Sequence, residues 1–441
     1  MQKQLVLLFW EENMTHPLDT HIKTVGNAKI DSPAIGPYVG DTPIPFYLDE
    51  EQGGEDVRGL GTDPIFFEQA GPRQQIYFDP RKTKSAIVTC GGLCPGLNDV
   101  IRAIVLESTY GYGAKSVLGI RYGLEGFIPK YGHDIMELTP GKVSEIHTFG
   151  GTILGSSRGP QSSEDIVDAL ERMNVSILYI IGGDGTMKAA TAIQEEIVRR
   201  NRNIVVIGIP KTIDNDINFV PKSFGFDTAV DIATMTLRGA HTEAIGAHYG
   251  VGLVKLMGRE SGFIAAQATL SLNVVNFVLV PESPFKLEGE GGLLPELEKR
   301  LLNRGHAVIV VAEGAGQDLL TASGKTDASG NRILGDIGPF LQSAIKKYFA
   351  GRNMNVPIKY IDPSYIIRSI PANTNDRVYC GQLGRHAVHA AMAGKTNMVV
   401  ARLLDRFVHL PLQLVTRRRR QIDIGSNYWR AVISTTGQRL K

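Results

Sequence analysis

Short apolar runs rich in β-branched residues recur from residue 85 onward, and each leads through a loop into a stretch with helical periodicity. The strand-like runs lie at 85–89, 175–181, 204–209, 251–257, 274–280, 307–312, 358–361 and 398–404. The helix-like stretches lie at 97–106, 188–200, 227–239, 261–272, 294–303, 338–348 and 375–393. Such alternation is typical of parallel sheets with helices on both faces. It predicts an α/β fold of two doubly wound parallel-sheet, Rossmann-like domains around a cleft.

The first 80 residues differ from the rest because they carry many prolines and show little helical periodicity. We interpret them as an extended N-terminal segment that wraps the body. A disordered tail is the alternative, which the aromatic residues between 46 and 78 disfavour. The apolar run Leu5–Trp10 is followed at once by Glu11 and Glu12, which favours a docking segment over a signal peptide.

Four segments are therefore expected along the chain. They are the N-terminal segment 1–80, an α/β domain at 81–225, a second α/β domain at 226–395, and a C-terminal segment 396–441 that packs back across the domains. A chain of 441 residues is too long for one ordinary hydrophobic core, which agrees with this division.

Composition narrows the class of protein. Hydrophobic residues make up 43% and charged residues 21% of the chain, as in ordinary globular enzymes. The formal net charge is only +2, which argues against a surface built to coat nucleic acid or membrane. No apolar run is long enough to span a bilayer. Three cysteines are too few for a disulfide framework, so a reducing, cytoplasmic location is expected.

Two loops with acidic residues follow two of the predicted strands. The first is Gly182–Thr186, in which Asp184 stands between glycines; the second is Pro210–Asp216, which contains Asp214. Ligands of open α/β sheets bind at the carboxyl ends of strands, so both loops should face one cleft. Glycines admit phosphate to the backbone, and carboxylates hold a divalent metal against it. The loops therefore indicate phosphoryl transfer, although a tight turn with a capping Asp is the alternative for the first.

The second loop carries the residues of a proton-transfer site. If the loop is extended, Asp214 and Asp216 point to one side, so one can take a proton from a substrate hydroxyl while the other supports metal or water. Lys211 supplies a positive charge near the transferred group. The hydroxyl of Thr212 can hydrogen-bond sugar or phosphate.

Further candidate loops follow other predicted strands. Gly91 and Gly92 precede a helix N-terminus, where phosphate is favoured, and Arg158 lies in the small-residue stretch Gly150–Pro160. Three later predicted strands are followed by loops with acidic, basic and tyrosine residues, which suit the binding of a sugar phosphate. A loop held by salt bridges is the alternative for each of them. These loops are Met257–Glu260, Glu313–Gly316 and Tyr360–Arg368. The basic run Arg417–Arg420 is interpreted as a solvated face or subunit contact, with an anionic effector or nucleic acid as the alternative.

Taken together, these motifs resemble those of the 6-phosphofructokinases. The matching stretches are Cys90–Asn98, Gly150–Pro160, Gly182–Thr186, Pro210–Asp216, Lys255–Arg259, Ala312–Gly314 and Tyr365–Arg368. They occur in the family's order and cover about residues 70 to 400. The stretch Ala70–Phe78 and the long N-terminal extension look like the longer, atypical ATP-dependent subgroup.

The resemblance implies a role for each matched residue. Asp214 would be the general base on the 1-hydroxyl of fructose 6-phosphate, Asp184 would hold Mg²⁺ with Asp216 assisting, and Arg158 would stabilise charge during transfer. Residues implied to contact ATP are Gly91, Arg158, Gly159, Gly183, Asp184, Gly185 and Thr186. Residues implied to bind the sugar phosphate are Thr212, Ile213, Asp214, Met257, Gly258, Arg259, Glu313, Tyr365, Ile366, Ile367 and Arg368. The family also implies a homotetramer.

Two positions bear on the phosphoryl donor. Pyrophosphate-dependent relatives typically carry Asp where this chain has Gly185, and that carboxylate would crowd and repel the α-phosphate of a nucleotide, so Gly185 favours ATP. Lys211 points the other way, because short ATP-dependent enzymes typically carry Gly there. The combination fits the long ATP-using subgroup.

Other functions remain to be weighed against this one. They are a pyrophosphate-dependent phosphofructokinase, a lipid or NAD kinase with a similar Gly182–Thr186 loop, and a non-catalytic sugar-phosphate sensor. The second acidic loop argues against the lipid or NAD kinase, and the intact Asp184, Asp214 and Arg158 argue against the sensor. Tyr365 stands where the short enzymes have histidine, and their effector site cannot be carried over.

Overall fold

The computed structural model describes residues 18–49, 57, 63–321, 324–327 and 332–440. The proposed docking segment Leu5–Trp10 lies outside these residues. Among the described residues, none of the helices combines the length and the apolar character that a membrane span requires.

The chain forms two compact units. The first unit comprises Met1–Lys211, Ile217–Ser223 and Arg377–Arg418, and the second comprises Thr212–Asp216, Phe224–Asp376 and Arg419–Lys441. The acidic loop 212–216 therefore belongs to the second unit, although the strand that leads into it belongs to the first.

Within the described residues, the main sheet of the first unit has nine strands. In chain order they are β3 (Ile44–Phe46), β4 (Ile65–Gln69), β6 (Lys84–Thr89), β7 (Ser116–Ile120), β8 (Ile135–Glu137), β9 (Ile177–Gly182), β10 (Val205–Pro210), β16 (Met398–Leu403) and β17 (Arg406–Pro411). The spatial order is β3-β4-β17-β16-β10-β9-β6-β7-β8. Two small two-stranded sheets add β1 (Lys23–Thr24) with β15 (Lys395–Thr396), and β2 (Ile30–Asp31) with β5 (Gln75–Ile76).

The centre of this sheet is parallel and buried on both faces. Every residue of β9 and β10 is buried, as expected for β-branched strands covered by helices. The helices of the first unit are α1 (Leu97–Leu106), α2 (Ser163–Arg172), α3 (Asp184–Arg199), α9 (Thr374–Met392) and α10 (Leu412–Val415). The apolar side chains of β9 and of α2 and α3 form one core, which includes Leu178, Ile180, Ile166, Leu170 and Ile197.

The second unit is built on a four-stranded parallel sheet in the order β12-β13-β11-β14. These strands are β11 (Gly250–Leu256), β12 (Phe277–Leu279), β13 (His306–Ala312) and β14 (Ile358–Ile361). Its helices are α4 (Phe226–Ile245), α5 (Phe263–Leu272), α6 (Leu293–Arg304), α7 (Ile337–Ala350), α8 (Ser364–Ser369) and α11 (Asn427–Thr436). Two apolar cores fill this unit, one containing α4 and α5 and the other containing α6 and α7.

The predicted α/β fold with parallel sheets is confirmed, and the structure adds one feature to it. Antiparallel strands extend the first sheet at both edges, since β3, β4 and β17 run antiparallel to their neighbours and β8 runs antiparallel to β7. The sheet is therefore mixed at its edges and parallel in its centre.

Candidate active site

Three loops that were assigned to a phosphate site from the sequence follow adjacent strands of the first unit's sheet. Strand β9 pairs in parallel with β6 on one side and with β10 on the other. Cys90 donates its backbone N–H to Ile181 O at 2.8 Å, and Lys211 donates its own to Gly182 O at 2.9 Å. The carboxyl ends of the three strands, with Cys90 and Lys211 just after them, are therefore held side by side.

The glycine loop after β6 lies against the stretch that contains Arg158. Gly91 adopts a positive φ of 81° and donates its N–H to Ser157 O at 3.1 Å. Ser156 Oγ donates to Gly91 O at 2.6 Å. A Cβ at Gly92 would lie 3.6 Å from an Nη of Arg158, so this guanidinium lies directly beside the loop. The guanidinium of Arg158 therefore lies where it would pair with a phosphate bound to that loop.

Lys211 lies in the same group of loops. Its side chain is buried, and Nζ donates to Gly92 O at 2.6 Å. Burial raises the pKa of the neighbouring Cys90 thiol to about 12, although the charge of Lys211 opposes this. Cys90 is therefore a neutral packing residue at neutral pH, and the positive charges in this part of the site are those of Lys211 and Arg158.

The first acidic loop forms the start of helix α3. Gly183 precedes the helix and Asp184 is its first residue, with Asp184 Oδ2 2.9 Å from Lys188 Nζ. Gly185 is exposed, and a Cβ built there would meet no atom within 4 Å. A helix N-terminus favours phosphate, so the absence of a side chain at 185 leaves room where a nucleotide's phosphates would bind.

The acidic loop 212–216 of the second unit is held by an internal hydroxyl. Thr212 Oγ1 donates to Asp216 Oδ1 at 2.6 Å and accepts from Asp214 N at 3.2 Å. Asn215 has a φ of 59°, so the loop is not extended as the sequence hypothesis assumed. Asp214 and Asp216 are therefore not placed on one side by the alternation of side chains along an extended strand. They are connected instead through the hydroxyl of Thr212, which hydrogen-bonds to both residues.

Asp214 has the environment of a proton acceptor. Its Oδ1 is buried and has no hydrogen-bond partner among the described residues. Burial and repulsion from Asp216 and Glu313 raise the pKa of Asp214 well above its ordinary value, against the backbone N–H of Arg259 and the charge of Arg419. A carboxyl group with a raised pKa and an unpartnered oxygen is suited to general-base catalysis near neutral pH.

The turn after β11 and the turn after β13 contact one another closely. Glu313 donates its N–H to Leu256 O at 2.9 Å, and Gly314 donates to Gly258 O at 2.9 Å. A Cβ at Gly314 would lie 1.8 Å from Arg259 O, so only glycine permits this approach. Burial raises the pKa of Glu313, although Arg259 opposes it. The fold thus brings Arg259 and Glu313 together.

Helix α8 carries the four residues from 365 to 368. Tyr365 and Ile366 are exposed, whereas the Ile367 side chain is fully buried in the core of the second unit. The Arg368 guanidinium lies 4.6 Å from the centroid of the Tyr365 ring. Because the Ile367 side chain is buried, its backbone is the part that a substrate could reach.

Two cations were not assigned a role from the sequence. Lys255 Nζ lies 2.9 Å from both Asp336 Oδ1 and Asp362 Oδ2. Arg419 Nη1 lies 3.4 Å from Asp216 Oδ2, a contact within the chain that the interpretation of 417–420 as a solvated face or subunit contact did not include. The basic run itself was the sequence signal that could have pointed to it.

The magnesium ligands implied by the resemblance differ in how well they fit. No group of three or more His, Cys, Asp or Glu side chains suited to a metal occurs within the described ranges. Mg²⁺ commonly binds through one or two carboxylates plus substrate phosphates, so Asp184 at the open helix start fits this role. Asp216 is less available, since Thr212 contacts one carboxylate oxygen and Arg419 the other.

Comparisons with known proteins found similar sequences over most of the chain. The family model described as Phosphofructokinase matches residues 84–391. A protein of Borreliella burgdorferi named ATP-dependent 6-phosphofructokinase is 48% identical, over 96% of this chain and 97% of its own length. One of the same name from Amycolatopsis methanolica is 46% identical, over 96% of this chain and 95% of its own.

A solved structure bears on the fold. The crystal structure of a pyrophosphate-dependent phosphofructokinase from Marinobacter aquaeolei has a TM-score of 0.67 to this chain, covering 80% of it and 91% of the other. The two sequences are 20% identical, so this similarity concerns the fold and carries no information on the phosphoryl donor.

Proposed function

The chain belongs to the phosphofructokinase family, and we propose that it transfers the γ-phosphoryl group of ATP to the 1-hydroxyl of fructose 6-phosphate. The products are fructose 1,6-bisphosphate and ADP. The observation that supports this chemistry is the environment of Asp214. Its buried Oδ1 has no hydrogen-bond partner among the described residues, and its pKa is raised. The motif resemblance to ATP-dependent 6-phosphofructokinases is confirmed by this family membership.

On the donor side, the backbone and cations of the first unit bind the nucleotide. The N–H groups of the Gly91 loop and of the α3 start hold phosphate oxygens. Arg158, beside Gly92, and Lys211, hydrogen-bonded to it, supply positive charge for the transferred group. Phosphoryl transfer depends on positioning and charge stabilisation rather than covalent catalysis, so these fixed groups are the kind the reaction needs.

On the acceptor side, residues of the second unit bind the sugar phosphate. Arg259 and Arg368 attract its phosphate, and Glu313 accepts hydrogen bonds from its hydroxyl groups. Thr212 orients the acidic loop, and Asp214 takes the proton of the 1-hydroxyl as the new P–O bond forms. The leaving group is the β-phosphate oxygen of ADP.

Magnesium is the cofactor of this proposal, with Asp184 as its protein ligand. When bound, the ion neutralises phosphate charge in the donor. Lys188, paired with Asp184 Oδ2, holds the carboxylate in place. Asp216 is not assigned to the ion here, since Thr212 and Arg419 contact its two carboxylate oxygens.

ATP rather than pyrophosphate is the proposed donor. The open space at Gly185 supports a nucleotide, because a carboxylate there would repel its α-phosphate. Lys211 is the residue that favours a pyrophosphate-dependent enzyme, the second candidate. The family also suggests a homotetramer, which light scattering of the purified protein would test.

Initial rates with fructose 6-phosphate and Mg²⁺ test the proposal, comparing ATP with pyrophosphate. We expect ATP-dependent formation of fructose 1,6-bisphosphate, and Asp214→Asn should lower kcat by about 10²- to 10⁴-fold, the usual contribution of a general base. KM for ATP should change little. Turnover with pyrophosphate alone would favour the second candidate, and turnover with neither donor would contradict both.

A further inference from the structure

The basic run 417–420 ends against the acidic loop of the second unit. Arg419 Nη1 lies 3.4 Å from Asp216 Oδ2. Arg420 donates its backbone N–H to Asp216 O at 2.9 Å and its guanidinium N–H to Asn215 O at 3.4 Å. Two consecutive arginines therefore contact this loop through both backbone and side chain.

The residues that follow continue these contacts. The Arg420 guanidinium lies 4.3 Å from the centroid of the Phe263 ring. Gln421 Nε2 donates to Glu260 O at 2.9 Å, and Ile422 N donates to Glu282 Oε1 at 2.9 Å. We call residues 419–422 the C-terminal strap. It is hydrogen-bonded both to loop 212–216 and to the turn after β11, which are two of the parts of this unit assigned to the sugar phosphate.

A path of polar contacts leads from the strap to the proposed base. Arg419 contacts Asp216 Oδ2, and Asp216 Oδ1 accepts from Thr212 Oγ1. The same hydroxyl accepts from the backbone N–H of Asp214. Asp216 is therefore held at both carboxylate oxygens, and the backbone of Asp214 is held through Thr212.

The negative charge of loop 212–216 explains why an arginine is placed against it. Asp214 and Asp216 place two carboxylates on one short loop, whose residues are linked through the hydroxyl of Thr212. A sugar phosphate adds further negative charge, which unscreened carboxylates would repel. A guanidinium is permanently charged and presents donors in a rigid plane, so it can both neutralise Asp216 and fix its orientation.

We propose that Arg419 is a positioning residue of the catalytic loop, which holds Asp216 and, through Asp216 and Thr212, the backbone of Asp214. The expected effect on kcat rests on the proposed function, whereas the contact between Arg419 and Asp216 does not. Arg419 contacts Asp216 rather than the reacting atoms, so its loss acts on the geometry of the base. Small misplacements of a reacting group cost up to about 10²-fold in rate.

The kinetic test compares Arg419→Gln with Arg417→Gln, which removes the same charge from an exposed position of the same run. We expect Arg419→Gln to lower kcat by about 10- to 100-fold, with KM for ATP within twofold of wild type. Arg417→Gln should keep the wild-type kcat. Arg419→Lys should recover part of the loss, because lysine keeps the charge without the planar donors. Equal effects of Arg419→Gln and Arg417→Gln would overturn the proposal.

A double-mutant cycle tests whether Arg419 acts through Asp216. Residues that act as a unit are non-additive, so Arg419→Gln with Asp216→Asn should lower kcat no further than the worse single variant. Fully additive losses would mean that Arg419 does not act through Asp216.

Hydrogen exchange provides a readout that does not depend on activity. Without substrates, the amide of Asp214 should exchange faster in Arg419→Gln than in wild type or Arg417→Gln, because its acceptor Thr212 is less well held. Arg419→Lys should lie between them, which keeps the test open if Arg419→Gln folds poorly. Unchanged exchange would overturn the proposal. If the amide of Asp214 exchanges as expected in wild type and variants but the wild type does not phosphorylate fructose 6-phosphate, the proposed function is wrong and the positioning role of Arg419 is not contradicted.

Discussion

At position 185, the absence of a side chain leaves open space at the start of helix α3. A Cβ built on Gly185 meets no atom within 4 Å, and the residue lies within the helix, where any L-residue is allowed. The protein itself would therefore accept a larger side chain there. Only a ligand whose phosphates extend past this point would be affected.

We predict that Gly185→Asp abolishes ATP-dependent turnover, with kcat/KM for ATP lowered by more than about 10²-fold, because an uncompensated charge repulsion costs several kcal/mol. The circular dichroism spectrum should stay that of wild type. Gly185→Asn is the matched control, since it has the same size without the charge and should keep more activity. Retained ATP turnover in Gly185→Asp would contradict the steric and charge argument.

Individual motif residues could be predicted from the sequence, but their partners could not. Asp184, Asp214 and Gly185 lie in short stretches whose spacing is local, so the resemblance identified them. Arg419 and Asp216 are 203 residues apart, and no local pattern relates them. The positive φ of Asn215 was also missed, because asparagine permits that conformation without requiring it.

Helix α8 depends on its surroundings for stability. It has only six residues, too few to be stable alone. Asp362 Oδ1 accepts from both the backbone N–H and the hydroxyl of Ser364 at its start. Lys255, on strand β11, pairs with Asp362 and with Asp336. Burial lowers the pKa of Lys255, but its hydrogen bonds to the two aspartates raise it above the ordinary value, so it stays charged.

We predict that Lys255→Met raises KM for fructose 6-phosphate by roughly tenfold, because losing one partner of a partly buried pair costs about 1–3 kcal/mol and loosens the helix that carries Arg368. KM for ATP should stay unchanged. Lys255→Arg keeps the charge and should stay close to wild type. Lys299→Met removes an exposed lysine paired with Glu296 and should have no effect. An equal rise in both KM values would contradict this positioning role.

The central strands could be predicted from apolar runs, whereas the added edge strands could not. Strands β6, β9 and β10 are buried runs, apart from the first residue of β6, and β6 and β9 lead into glycine loops. By contrast, β4 and β17 pair through residues such as Glu68 and His409, which are far apart in sequence. Pairing at that separation depends on the completed sheet rather than on a local pattern.

The first unit buries a network of ionisable groups. Glu68 Oε1 accepts from His409 Nδ1 and from Arg73, both at 2.8 Å, and Oε2 pairs with Lys395 at 3.0 Å. Burial raises the pKa of Glu68, but the hydrogen bond from His409 and the nearby cations lower it overall. Burial also lowers the pKa of His409. The network is therefore stabilised while the carboxylate of Glu68 is ionised.

Two further histidines of this unit resist protonation. Burial lowers the pKa of His386 to about 3 and that of His389 to about 4, with smaller contributions from other cationic side chains. His389 Nδ1 lies 2.8 Å from the hydroxyl of Tyr112. Both pKa values lie below the ordinary 6.5, so unfolding takes up protons in acid. The stability from the neutral rings is fully present above pH 6.5 and is lost as the pH falls toward 4 and 3.

We predict that the free energy of unfolding of the first unit falls as the pH drops from 6.5 to 4, by about 1.4 kcal/mol per pH unit for each of these histidines. Urea-unfolding midpoints measured across this range check the slope. His386→Phe keeps an aromatic ring against Phe407, 4.6 Å away between centroids, and should reduce the slope by the contribution of one proton. His248→Gln, at an exposed position, should leave the slope as in wild type. A slope unchanged by His386→Phe would show that the acid sensitivity arises elsewhere, with the Glu68 network as the next group to test.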